Sequence, residues 1–353
     1  MATPRHIIEP DGDLILVLKN PYPEFAVWPF RGVSDKAHNL RDPRGSGIPV
    51  SFDVEYLVSS KHLGNASDYF LCGPLTYAEA AWGVRHLVIE DMDQEALFIV
   101  LNLIHGRTPG LGADQGIDML AKVALVVDHF QCREAVDWFA QLWMLGLELP
   151  WYEAEVTRDH VLWIFVAMVF RMRDLFLVST RLAMEISYYK IPTLGLPIPE
   201  EIVDEMELRR QIAVIEASDS IIRVGEELRG LGHGCNLACA VGLAMAFEQQ
   251  IDLNALISER PWEHMTTAFR KLDELVDRLR PTCEIISLNE QVVKMARDGK
   301  RAATCISAAH NNRSRFYCAK AWDLGGFIMG SGWGNILNME LRDFFPGNEQ
   351  HDR

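Results

Sequence analysis

Every stretch of this chain that reads as a strand lies before residue 92, and the chain from 150 to 297 reads as helix after helix. That segregation constrains the fold more than any other feature. Strands alternating with helices would build a parallel sheet covered on both faces, whereas strands gathered ahead of helices build an α+β fold. DGDLILVL at 11–18 is a turn leading into a mostly apolar strand, and VSFDVEYLVS at 50–59 alternates apolar and polar residues as a half-buried strand does. We pair 14–18 with 50–58 as a hairpin. Its connection is expanded by residues 20–49, rich in Pro, Gly and Asp, into a long irregular insertion. After a loop expected over 71–85, RHLVIED supplies a third strand.

The second strand runs straight into VSSKHLGNASDYF, placing two serines beside a histidine. A reactive hydroxyl with its base is one reading, and a helix N-cap is the other. Serine is the ordinary residue at a helix start, where its oxygen accepts from an orphan backbone N–H. Leu63, Ala66, Ser67 and Phe70 then share one helical face, with His62 off it. No nearby group completes a catalytic set, so Ser59 and Ser60 are read as capping residues.

Helical periodicity follows. DMDQEALFIVLNLIHG opens with acidic residues, which suit the positive end of a helix dipole, and Gly106 closes it. In GIDMLAKVALVVDHF, residues Ile117, Leu120, Ala121, Ala124 and Leu125 mark a core-facing stripe, and CREAVDWFAQLWM makes a further helix almost without a break. Beyond 150 the spacing predicts helices over 156–187, 199–229, 235–250, 262–279 and 285–297, with no repeat period. The tail after 300 fits no template.

The order strand, strand, helix, strand, helix, helix, helix over 11–145 resembles the BTB/POZ domain. Asp13 stands at the start of the first strand as that family's Asp does, and Leu63, Ser67 and Phe70 have the family's mutual spacing. VIEDMDQEALFIVLNLIHGR and LAKVALVVDHFQCREAVDWFA are similar to the following strand end and helices. The DGD opening, VSSK at the joint, and LPIP ahead of an Arg-Arg helix resemble a group of fungal BTB proteins with helical C-terminal regions. The chain departs from the family at Ser59, where the wider family often has His, and in the length of 20–49. The resemblance implies a BTB/POZ domain at 11–145, an all-α region at 146–299 and a tail at 300–353. It also implies a short mixed sheet flanked by helices, and association with other proteins, the candidate partners being a second copy or a cullin scaffold. Tyr77 and Glu79, in Tyr77-Ala78-Glu79, resemble the hydrophobic-x-Glu motif by which some family members dock on a cullin, so they are the expected partner-binding residues; a solvated loop is the competing reading.

Composition narrows the function classes. A formal net charge of −15 argues against a nucleic-acid binder, and the basic stretch Lys294–Lys320 reads as a solvated surface segment. Seven cysteines do not make a disulfide framework, so a reducing, intracellular compartment, nucleus or cytoplasm, is expected. MATPRHIIEPDGD has no secretory pattern, and the apolar stretches 161–170 and 237–247 are shorter than the roughly 18–20 residues of a membrane span, so both are expected to be buried helices. GLGHGCN at 230–236 and GSGWG at 330–334 lack the preceding strand of a dinucleotide site. Cys235, Cys239 and Cys283 with His233 have thiol spacing compatible with structural zinc, but a fourth ligand needs His233 or His310 to fold in, and cysteine is among the residues most often buried without any metal, which is the favoured reading. No metal, cofactor or catalytic residue is assigned. The leading expectation is a non-enzymatic interaction module; a cullin-based ubiquitin-ligase adaptor and a transcriptional co-regulator without its own DNA-binding domain are the alternatives.

Overall fold

The computed structural model describes residues 5–29, 53–72, 78–79, 85–108, 115–151, 153, 155–231, isolated positions within 237–248, and 336–345. The helices expected at 262–279 and 285–297 lie outside the described residues, as does most of 235–250. The protein is α+β: a small mixed sheet near the N-terminus, then helices.

Five strands, β1 (Arg5–Ile7), β2 (Leu14–Lys19), β3 (Val54–Val58), β4 (Ala78–Glu79) and β5 (Arg85–Glu90), lie in the order β1-β3-β2-β5-β4. β2 and β3 are antiparallel, as the expanded hairpin requires, while β2 runs parallel to β5 and β1 parallel to β3. Side-chain alternation sets the register. Leu14 faces Val58, Leu16 faces both Tyr56 and Leu87, and Leu18 faces Val54 and Ile89, all of them buried. A slip of one residue would turn this set to the opposite face, so burial and pairing enforce each other. Two strands go beyond the expectation. β1 and β4 have three and two residues, too few to carry a periodic pattern, and β4 falls inside the expected loop 71–85.

The helix after β3 is also a correction. Instead of one helix through Phe70 there are two, α1 (Ser60–Ala66) and α2 (Asp68–Cys72), because Ser67 takes an extended conformation between them. Its buried hydroxyl donates to the Phe130 carbonyl and accepts from the Tyr69 N–H at 3.1 Å. Asp93 caps α3 (Gln94–Ile104), accepting from Glu95 and Ala96 N–H groups. α3 packs on α4 (Ile117–Phe130), and α4 on α5 (Arg133–Met144) and α6 (Arg158–Val169). Being covered from several sides, α4 buries Val123, Val126 and Val127 besides the expected Leu120, Ala121 and Ala124, whereas Ile117 and Leu125 of the expected stripe are only partly buried.

The helix expected over 156–187 is broken into α6 and α7 (Arg173–Ile186). The break is a Schellman turn: Arg171 sits at φ +55°, its N–H bonded to the Met168 carbonyl and that of Met172 to the Ala167 carbonyl. The same pair of bonds ends α3 at Gly106 and α4 at Gln131. α6 is buried at every position from His160 to Val169, matching the buried helix expected for 161–170.

By contacts the chain divides into two compact units, the first comprising Met1–Ser179, Pro192–Val203 and Met339–Arg353, the second Thr180–Ile191 and Asp204–Asn338. The position 145/146 falls between α5 and α6, both in the first. Most of α8 (Glu200–Arg229) belongs to the second, where buried Arg210 forms a bidentate pair with Glu207 at 2.9 and 2.7 Å. Among the described residues no helix is long and apolar enough to cross a membrane.

Candidate functional site

The strand-to-helix joint resolves the two serines. Ser59 is the N-cap of α1, its Oγ accepting from the His62 backbone N–H at 3.4 Å. Its own N–H donates to Nε2 of His105 at 3.0 Å, and Nδ1 of that buried imidazole meets the Leu101 carbonyl at 2.8 Å. A carbonyl can only accept, so Nδ1 carries the proton and Nε2 must be bare. The imidazole is thus held neutral. Burial pushes the His105 pKa down, the Leu101 carbonyl opposes this, and His62 and Arg107 reinforce it.

Ser60 plays a different part. Its N–H and hydroxyl both donate to Asp13, at 2.8 and 2.7 Å, and one Arg85 nitrogen reaches Asp13 and the Ser60 oxygen, each at 2.6 Å. Burial alone would raise the Asp13 carboxyl, but the Ser60 and Arg85 hydrogen bonds outweigh it and hold the group at about 2. The cluster ties the starts of β2, α1 and β5. Among the described residues neither hydroxyl is hydrogen-bonded to an imidazole, so the geometry is that of a joint.

A second polar cluster fastens α6. Arg158 pairs with Asp118 on α4, donates to the Ala26 carbonyl at 2.8 Å and lies over the Phe25 ring, 5.5 Å from its centroid. Lys122 bridges Asp118 and Asp93 at 3.2 and 3.1 Å. Burial lowers the Lys122 pKa, yet the two carboxylates together carry it above the usual lysine value. Both ends of this network are consumed in positioning helices. Cys132, at the start of α5, is buried, which pushes its thiol up to about 12 and leaves it unreactive at neutral pH.

Exposed apolar side chains collect on α5 and the sheet. Along α5, Val136, Ala140 and Trp143 face the core, while Trp138 is 73% exposed and Leu142 48%; Leu145, in the residue after the helix, is 84% exposed. Spacings of four and three residues put these three on one face. Ile7 and Val88 are also more than half or nearly half exposed, at 60% and 49%, and their register places both on the face of the sheet opposite Leu16 and Tyr56. Sequence reasoning makes REAVDWFAQLWM a helix and misses this stripe, although apolar residues on two of its faces are the signal that one face lacks a cover.

Of the expected partner-binding pair, Tyr77 lies outside the described residues, and Glu79 ends β4 opposite Arg85. Cys235, Cys239, Cys283, His233 and His310 lie outside the described residues. Among the described residues no three His, Cys, Asp or Glu side chains gather as a metal site.

The fold and these clusters define an α+β protein with a small mixed sheet and an apolar helix face open to solvent. No family model matches the chain, and neither a curated protein nor a solved structure does.

Proposed function

We propose that this chain is a non-enzymatic protein–protein interaction module, a BTB/POZ-type unit followed by a helical region, that associates with a second copy of itself or with another protein. The observation that carries the reading is the Trp138, Leu142 and Leu145 stripe: three large apolar side chains open along α5 and the residue after it, while Val136, Ala140 and Trp143 of the same helix are buried. Aromatic and aliphatic anchors of this kind dominate binding at protein interfaces. The order of β2, β3, α1–α2, β5, α3, α4 and α5 supports the BTB-type reading, since it follows the order the sequence resemblance implies apart from the division of one helix into α1 and α2 and the added short strands β1 and β4. The polar clusters support a non-enzymatic reading because each holds elements together, with Asp13, Ser60 and Arg85 at the joint and Asp93, Asp118, Lys122 and Arg158 between helices.

The test is size-exclusion chromatography with light scattering on the full chain, with affinity capture from the native cell in parallel, each repeated on Trp138→Glu/Leu145→Glu. Both positions are exposed, so the double variant is expected to melt as the parent does and to lose its association. A parent that is strictly monomeric and captures nothing, or a double variant that associates as well as the parent, would refute the proposal.

A further inference from the structure

A short run near the C-terminus, Met339–Phe345, seats in the first unit on the corner between α6 and α7. Met339 and Leu341 are buried. The Phe344 ring meets the fully buried Phe176 ring near edge-on, at 6.4 Å between centroids. The Phe345 ring lies against the Arg171 guanidinium, 3.5 Å from ring centroid to Cζ.

Among the described residues the run's backbone shows no comparable anchoring to the corner. Its hydrogen bonds close within itself: Asp343 N–H to the Glu340 carbonyl, and Phe344 and Phe345 N–H to the Leu341 carbonyl, around a single 3-10 turn at Leu341–Asp343. A segment integral to a sheet or bundle is fixed by ladder bonds or by a long packed helix. This one is held by four side-chain anchors on a self-contained turn, which is how short linear motifs dock on a receptor. In the chain it stands far beyond the end of α8 at Arg229.

The corner has a feature that calls for such a ligand. Arg171 occupies a left-handed position at the α6 terminus, and its Nη1 is buried with no hydrogen-bond acceptor among the described residues. An aromatic face offers a desolvated guanidinium the negative side of a quadrupole where no oxygen is at hand. Phe345 supplies that face.

We propose that the α6–α7 corner is a receptor site for a short peptide of pattern Met-x-Leu-x-x-Phe-Phe, and that its occupant is this chain's own Met339–Phe345 bound in cis. Covalent attachment raises the effective concentration of a ligand without any new contact, so an anchor of modest intrinsic affinity stays bound and yet exchanges. The site is then a self-occupied docking point, available to the same peptide offered from outside.

The experiment uses the full chain carrying a specific protease recognition sequence after Gly334. After cleavage, a fluorescein-labelled peptide of sequence ILNMELRDFF, residues 336–345, is titrated in by polarisation, with thermal melting of the cut protein as the folding control. The expected result is saturable binding, competed by unlabelled peptide, with Phe345→Ala in the peptide weakening it about tenfold or more and Arg171→Met in the receptor doing the same. Phe344→Ala tests the second ring independently. Three results would overturn the proposal: a cut segment that stays bound and never exchanges with labelled peptide, a segment that departs and leaves a normally melting protein that does not bind the peptide, or a cut protein that loses its cooperative melt whether or not peptide is added.

Discussion

The imidazole at the β3–α1 joint makes stability depend on pH in the direction opposite to that of a salt-bridged histidine. Nε2 of His105 accepts the Ser59 N–H at 3.0 Å and Nδ1 donates to Leu101 at 2.8 Å, so no ring nitrogen has room for a second proton. Protonating Nε2 would set two N–H groups against each other. The folded-state pKa is therefore depressed below the ordinary value of 6.5, and burial is the largest cause. Between the depressed value and 6.5 the unfolded chain binds more protons than the folded one. Stability is then fully present above 6.5 and is lost as pH falls below it, at a slope approaching about 1.4 kcal/mol per pH unit. Substituting His105→Gln keeps a carbonyl oxygen that can accept the Ser59 N–H but removes the titration, whereas His105→Ala leaves that N–H without its acceptor and should cost about 1–3 kcal/mol at neutral pH. Thermal melts of parent and His105→Gln at pH 7.5 and 5.5 decide the matter, because the other ten histidines are common to both. The parent should lose more melting temperature than the variant on acidification, the excess bounded by about 1.4 kcal/mol for each pH unit between 6.5 and the depressed value. His62→Gln is the control for the neighbouring ring, whose centroid is 5.0 Å from that of His105. Equal pH dependence in parent and His105→Gln would refute the assigned tautomer and the linkage drawn from it.

Two further outcomes test other parts of the structure. Gln131 is exposed and holds φ +52° at the end of α4, so Gln131→Gly should raise stability by up to about 1 kcal/mol, the relief of left-handed strain exceeding the added freedom of the unfolded chain; chemical denaturation reads it. Arg158→Ala removes the Asp118 pair and the bond to the Ala26 carbonyl together, and should cost about 1–3 kcal/mol by the same measurement, less than a fully buried pair because Asp118 is half exposed.

What could be read from the sequence followed from periodicity and from residues that act on their near neighbours. Alternation in LILVLK and VEYLV placed two strands and their shared face, and Ser59 and Gly106 marked a helix start and a helix end because each satisfies backbone groups within one turn. The same turn at Arg171 was illegible. Its backbone bonds match those at Gly106, but the residue holding the left-handed conformation there is an arginine, which no local rule nominates. Ser67 misled in the other direction, fitting a helical face while its hydroxyl was taken by Phe130, sixty-three positions away. The site was harder still. Whether Trp138 and Leu145 are covered depends on every neighbouring element, and the link from Arg158 to Ala26 spans distances in the chain over which spacing carries no information.

Because α6 is buried on every side from His160 to Val169, it cannot serve as a hinge, a linker or a stalk in water. It is a wall of the first unit, and α4 is the surface built against it. Severing the polypeptide after α5 would therefore strip α4 of cover along that flank and yield a sticky fragment, so the N-terminal half is not a cassette that can be lifted out and fused elsewhere at that point. Any shorter version meant to behave as the parent does must carry at least the α6 wall with it.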